Sequence, residues 1–221
     1  MTNLTLRNQV REHYAAAAKA GSGCCGRDAG TGILSLGSGD PLAAADLQEG
    51  ERVLDLGSGA GPDVIRAAQK VGPAGIVWGL DMTEEMLALA RRNAAEAGVA
   101  NTHFLEGHIE EVPLPAESVD VAISNCVINL STDKPAVFRE LARVVAPGGR
   151  VAISDIVAED RLAAAERAER GSYCGCVAGA LSKGEYERML LEAGFEDVSV
   201  ELAVRVADGM HTADIRARKP A

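Results

Sequence analysis

The sequence predicts an α/β domain built on a doubly wound, mostly parallel sheet, and three observations predict it. Short apolar runs alternate with stretches of helical period from residue 53 to residue 193, which places a crossover helix between successive strands. The first of these runs ends directly in a glycine-rich turn, Gly57-Ser58-Gly59-Ala60-Gly61. The chain has 221 residues, 47% of them hydrophobic and 24% charged, enough for one sizeable core with an appendage.

Taken in order, residues 5–20 interleave apolar and alanine positions with Arg7, Arg11 and Glu12, the pattern of an amphipathic helix ahead of the core. Residues 21–50 hold too many glycines, with Pro41 among them, for a long helix or strand, and they carry Cys24 and Cys25. Residues 1–50 are therefore read as an N-terminal helix with a glycine- and cysteine-rich cap, and residues 51–221 as the main domain. Strands are predicted at 53–56, 76–80, 103–105, 119–124 and 150–156, each a short apolar run of strand length. Helices are predicted at 63–70, stopped by Gly72-Pro73, at 84–97, and at 134–145, closed by Pro147-Gly148-Gly149. Helices at 161–170 and 183–193 and β-rich runs at 198–202 and 213–217 complete the chain, and no internal repeat is present.

Charge and cysteine usage exclude several classes. A formal charge of -10 opposes binding to a polyphosphate backbone, so nucleic acid is not an expected partner. No run of about 18 apolar residues occurs and residues 1–10 are polar, so no membrane partner is expected and the cytoplasm is the expected compartment. Five cysteines, including the pairs Cys24-Cys25 and Cys174-Gly175-Cys176, fit a reducing environment better than a disulfide framework.

The glycine turn is the first motif with chemistry in it. Glycines at alternate positions let backbone N–H groups approach a ligand where a side chain would block them. The spacing is G-x-G-x-G and not the G-x-G-x-x-G of dinucleotide binding. Asp81, at the end of the second strand, is placed to accept hydrogen bonds from both hydroxyls of a ribose. Asp55-Leu56-Gly57-Ser58-Gly59-Ala60-Gly61 together with Asp81 resembles the first two motifs of class I S-adenosylmethionine-dependent methyltransferases. The resemblance covers residues 50–200 and implies a seven-stranded sheet. It also implies S-adenosyl-L-methionine as cofactor, held by Asp55, Gly57, Ser58, Gly59, Gly61 and Asp81, with Met82, Ile109 and Glu110 beside the adenine and Asn125 at the end of the fourth strand.

The fourth strand points to the acceptor. Ser124-Asn125-Cys126-Val127-Ile128-Asn129-Leu130-Ser131, followed by Asp133-Lys134-Pro135, resembles arsenite methyltransferases. Ile153-Ser154-Asp155-Ile156-Val157 and Gly175-Cys176-Val177-Ala178-Gly179-Ala180-Leu181 resemble further segments of the same family. The resemblance implies methyl transfer to trivalent arsenic held by the thiolates of Cys126 and Cys176, with a thiol reductant such as glutathione or thioredoxin and a substrate lid near 158–191. Soft thiolates suit a thiophilic centre of this kind. One position departs from the family: Leu36-Gly37-Ser38-Gly39 has serine where many members have a further cysteine. Either the sequence is altered at Ser38, or two thiolates suffice, or Cys24 or Cys25 supplies a third. Cys174 has no family counterpart, and His13, His103, His108 and His211 receive no role. Two other readings stay open on sequence alone: a methyltransferase for a small organic acceptor such as a quinone precursor, and a non-catalytic thiol sensor or metalloid-binding protein on the same fold.

Overall fold

The computed structural model describes residues 3–20, 37 and 39–221. The elements in chain order are α1 (Asn3–Ala20), α2 (Pro41–Ala45), β1 (Arg52–Leu56), α3 (Pro62–Val71), β2 (Ile76–Asp81), α4 (Glu84–Glu96), β3 (Thr102–Glu106) and β4 (Val119–Asn125). They continue with α5 (Lys134–Val144), β5 (Val145–Ala158), α6 (Ala164–Ala168), α7 (Lys183–Glu192), β6 (Glu196–Ala207) and β7 (Met210–Arg218), and a 3-10 turn at Ile128–Leu130 follows β4.

The helix starts show why these segments fold locally as they do. Gly61, at φ 83°, lies ahead of α3, and Pro62 fills the first helical position, where no N–H is needed. Asp133 caps α5 by accepting a bond from the Ala136 N–H at 3.1 Å. Ser182 and Glu185 form a reciprocal capping box at the start of α7.

Seven strands form one sheet in the order β3-β2-β1-β4-β5-β7-β6. The pairs from β3 through β5 are parallel, and β7 runs antiparallel to both β5 and β6. Helices cover both faces. On one face Leu42, Ala45 and the apolar side of α3 pack against Val53, Val121 and Ile123. On the other, Val137, Phe138 and Leu141 of α5 with Tyr186 and Leu190 of α7 pack against Leu54, Leu56 and Ala122. The chain leaves β1 toward one face and leaves β4 toward the other, so a crevice opens between the carboxyl ends of these adjacent strands.

Three segments differ from the sequence reading. Residues 41–45 form α2 inside the stretch read as loop, because Pro41 starts a turn of helix that buries Leu42 and Ala45. The helix expected over 161–170 is only Ala164–Ala168, where Arg167 is drawn inward by Glu185. β5 begins at Val145 and runs through Pro147-Gly148-Gly149, which the sequence reading took as a break. Among the described residues no helix is long and apolar enough to cross a membrane.

Candidate active site

The crevice begins with the glycine turn. Gly57, Gly59 and Gly61 have φ of 71°, 51° and 83°, backbone that side-chain-bearing residues rarely adopt. A Cβ on Gly57 would stand 2.4 Å from a Val127 methyl, so the turn is pressed against the end of β4, whereas a Cβ on Gly59 would meet nothing within 4 Å. Asp81 holds the turn open in this shape. One carboxylate oxygen accepts the Gly59 N–H at 3.0 Å and the other the Thr83 N–H at 2.9 Å.

Four carboxylates line the same crevice: Asp55, Asp63, Asp81 and Glu110, the last paired with Arg7. Burial pushes the Asp55 carboxyl well above the usual carboxylate range, and the nearby charges of Asp63 and Asp81 push it further. Burial raises Asp81 as well, against the lowering effect of its backbone donors at Thr83 and Gly59. Carboxyls gathered in a recess favour a cationic ligand that enters it, and its charge in turn favours their ionised form.

Asn125 closes one side. Its amide nitrogen donates to Asp63 at 3.1 Å and to the Gly39 carbonyl at 3.0 Å, while its oxygen accepts from the Gly39 N–H at 3.3 Å. The opposite side is closed by α1, whose Arg7, Val10 and Tyr14 line the crevice. Tyr14, Ala17 and Ala18 pack on Ala60 and Met86. Arg7 donates to Glu110 at 3.2 Å, and the Ser131 hydroxyl donates to the same Glu110 oxygen at 2.6 Å.

Of the two thiols expected at the site, one lines the crevice and the other packs behind it. Cys126 lines the crevice, and Cys176 packs with it in an apolar cluster that includes Ile156, Leu162 and Met210. Both are buried, and both sit in left-handed backbone, at φ 60° and 61°. Such positions are costly for non-glycine residues and collect at functional sites. The Cys126 N–H donates to the Ser154 carbonyl at 2.9 Å, and the Cys176 thiol donates to the Cys126 carbonyl at 2.7 Å. Behind them Asp155 is completely buried, and burial raises its carboxyl to about 7 against the lowering effect of the Tyr186 hydroxyl.

Comparison with known proteins bears directly on this arrangement. A family model described as a methyltransferase domain matches residues 47–194. An arsenite methyltransferase of Halobacterium salinarum is 40% identical over 97% of this chain and 67% of its own length. One from Aquipseudomonas alcaligenes is 44% identical over 71% of this chain and 47% of its own length. The chain belongs to the arsenite methyltransferase family. Among solved structures, an arsenic(III) S-adenosylmethionine methyltransferase from Chlamydomonas reinhardtii matches with a TM-score of 0.69 and 32% identity, over 96% of this chain and 73% of that one. The seven-stranded class I methyltransferase sheet expected from the sequence is the fold observed.

As a member of the arsenite methyltransferase family, the chain can be compared site by site with what its sequence implied. Asp55, Gly57, Ser58, Gly59, Asp81, Met82, Ile109, Glu110, Asn125 and Cys126 all line one crevice. Gly61 and Cys176 do not line it: a Cβ on Gly61 would press on Ala90 at 3.1 Å, and Cys176 packs behind Cys126. Cys24, Cys25 and Ser38 lie outside the described residues. Sequence reasoning treated α1 as an appendage and assigned nothing to Asp63. The helix in fact supplies a wall, which no local pattern announces, while Asp63, an acid in the first turn after the glycine motif, was open to recognition. Cys174 is half-exposed, and its carbonyl accepts the Tyr14 hydroxyl at 3.2 Å.

Proposed function

We propose that this chain transfers methyl groups from S-adenosylmethionine to trivalent arsenic, as arsenite, methylarsonous acid or both, held on Cys126 and Cys176. One observation carries the reading: two buried cysteines in left-handed backbone touch each other, and one of them, Cys126, lines a glycine-turn crevice that four carboxylates also line. The crevice fits the cofactor, because the open space beside Gly59 and the carboxyls of Asp55, Asp63 and Asp81 suit a ligand with an ammonium and a sulfonium, whose charge favours their ionised form. The backbone of Gly57, Ser58 and Gly59 would take the methionine end, Asp81 the ribose, and Met82, Ile109 and Glu110 the adenine side. When bound, S-adenosylmethionine supplies an electrophilic methyl group on a positive sulfur.

The chain's own part is to hold and orient. Two thiols displace two hydroxyls of arsenous acid as two waters, giving a dithiolate with one hydroxyl left on arsenic. The arsenic lone pair is then the nucleophile, so no side chain has to remove a proton. Catalysis therefore rests on placing acceptor and donor together at the shared wall of Cys126, which proximity alone makes effective. Residues 158–191 serve as the substrate lid, glutathione or thioredoxin as the reductant that regenerates thiols and trivalent arsenic, and the cytoplasm as the compartment. Incubation with cofactor, thiol and either arsenite or methylarsonous acid, followed by separation of arsenic species, tests the reading. Methylated arsenic formed in step with S-adenosylhomocysteine supports it, and cofactor consumption without methylated arsenic refutes it.

A further inference from the structure

The 3-10 turn after Cys126 contains Asn129, whose side chain is completely buried and reaches three separate segments. Its amide nitrogen donates to the Asp155 carboxylate at 2.7 Å, to the Ile156 carbonyl at 2.7 Å and to the Cys176 carbonyl at 3.1 Å. Its oxygen accepts the Leu181 N–H at 3.3 Å. Two hydrogens serve three acceptors, so one of them is shared. Asp155 is itself fixed by the Tyr186 hydroxyl at 2.8 Å and the Ile156 N–H at 2.8 Å.

An independent contact presses the same segments together. A Cβ on Gly179 would stand 2.2 Å from the Asn129 carbonyl oxygen, so the stretch bearing Cys176 rests directly on the turn that follows Cys126. Tyr173, at the other end of that stretch, donates to the Leu130 and Ser131 carbonyls at 3.2 and 3.0 Å.

We propose that Asn129 is a positioning residue for the acceptor: its amide locks the Cys176 backbone to the ends of β4 and β5 and thereby sets the spacing of the two thiols. The bonds go to backbone atoms of Cys176 and Leu181, so they fix where the chain runs whatever the side chains do. Left-handed backbone at a non-glycine residue persists only where its surroundings over-determine it. Asn129 supplies that constraint on Cys176 from the turn that begins two residues after Cys126. Two thiols chelate one centre well only while they are held at matching separation, because the second bond is then intramolecular.

The inference takes its consequence for turnover from the arsenic reading, and its test separates the two. In a chain with Cys24, Cys25 and Cys174 replaced by serine, the bridging of Cys126 and Cys176 by dibromobimane, which fluoresces once joined to two thiols, reports their spacing without arsenic. Asn129→Ser and Gly179→Ala are each expected to slow bridging at least tenfold. In the otherwise unaltered chain, each is expected to raise the arsenite Kd and KM at least tenfold, with S-adenosylhomocysteine affinity and the cofactor KM within twofold. Tyr186→Phe, which loosens only Asp155, is expected to give a smaller loss of the same kind and serves if Asn129→Ser does not fold. Unchanged bridging in these variants overturns the proposal, and so does an equal loss of cofactor affinity, which marks a residue that merely holds the fold. Normal bridging in the unsubstituted Asn129 chain without any arsenite binding defeats the arsenic reading alone.

Discussion

The thiol of Cys176 donates to the carbonyl oxygen of Cys126 at 2.7 Å, although the two residues are 50 positions apart in the chain. The bond joins two residues that share an unusual left-handed backbone, one at the end of β4 and one in the segment before α7. The thiol is thus held against a backbone acceptor in the structure described.

Replacing either cysteine by serine is expected to abolish arsenite methylation and leave cofactor binding within about twofold, because in the proposed function the thiols hold the acceptor and a hydroxyl is a poor ligand for a soft centre. Product separation with S-adenosylhomocysteine titration checks both halves. Full arsenite turnover by Cys126→Ser contradicts the assignment.

Asp81→Ala is expected to weaken S-adenosylmethionine binding by about 1.5–3 kcal/mol for each ribose hydrogen bond it removes. The loss of its bonds to Gly59 and Thr83 adds to the effect by loosening the glycine turn. Isothermal titration measures it, and unchanged affinity in a folded variant takes Asp81 out of the cofactor site.

Asp155 gives a pH dependence of stability opposite in sign to that of an ion-paired carboxylate. Its carboxyl is raised from 3.8 to about 7 in the folded protein, chiefly by burial. Between those values the folded chain holds a proton that the unfolded chain has lost, so this group's contribution falls as pH rises through that window. Asp155→Asn stays neutral, and its stability relative to the unaltered protein is expected to increase by about 2 kcal/mol between pH 5 and pH 7. Denaturant unfolding at the two pH values measures the change. A difference that does not vary with pH refutes the assigned shift.

Ser38 takes the place of the further thiolate that many family members carry. Gly37 and Gly39, its neighbours in sequence, both approach Asn125, the residue before Cys126. With two thiolates, arsenite keeps an oxygen ligand that methylarsonous acid replaces with carbon. Ser38→Cys is therefore expected to raise the initial rate on arsenite more than on methylarsonous acid. A loss of arsenite activity in the Cys24→Ser, Cys25→Ser double variant, with little change from Ser38→Cys, instead assigns the third thiolate to the cap. Equal rate ratios in all three proteins defeat both accounts.

Much of the fold is written locally in the chain. The first five strands and the helices between them follow from apolar period and from the stops at Gly72 and Pro73, and the glycine turn with Asp81 marks the crevice. What escaped was set by distant packing. Residues 41–45 look like loop until Leu42 finds the face of β4 and β5, and Pro147-Gly148-Gly149 looks like a break until pairing with neighbouring strands extends β5 across it. The wall formed by Arg7 and Tyr14, and the convergence of Asn129, Asp155, Cys176 and Tyr186, join residues 26 to 160 positions apart. Residue type alone gives no sign of such meetings. The thiols were visible only because their flanking strings resemble a known family; a buried cysteine by itself reads as a small apolar residue.

The most direct test of the central claim is the yield of methylated arsenic per S-adenosylhomocysteine formed, with arsenite as sole acceptor. The account predicts one arsenic-bound methyl for each S-adenosylhomocysteine in the unaltered protein and none in Cys126→Ser. Cofactor turnover that does not depend on arsenite, or methylated arsenic from the serine variant, contradicts it.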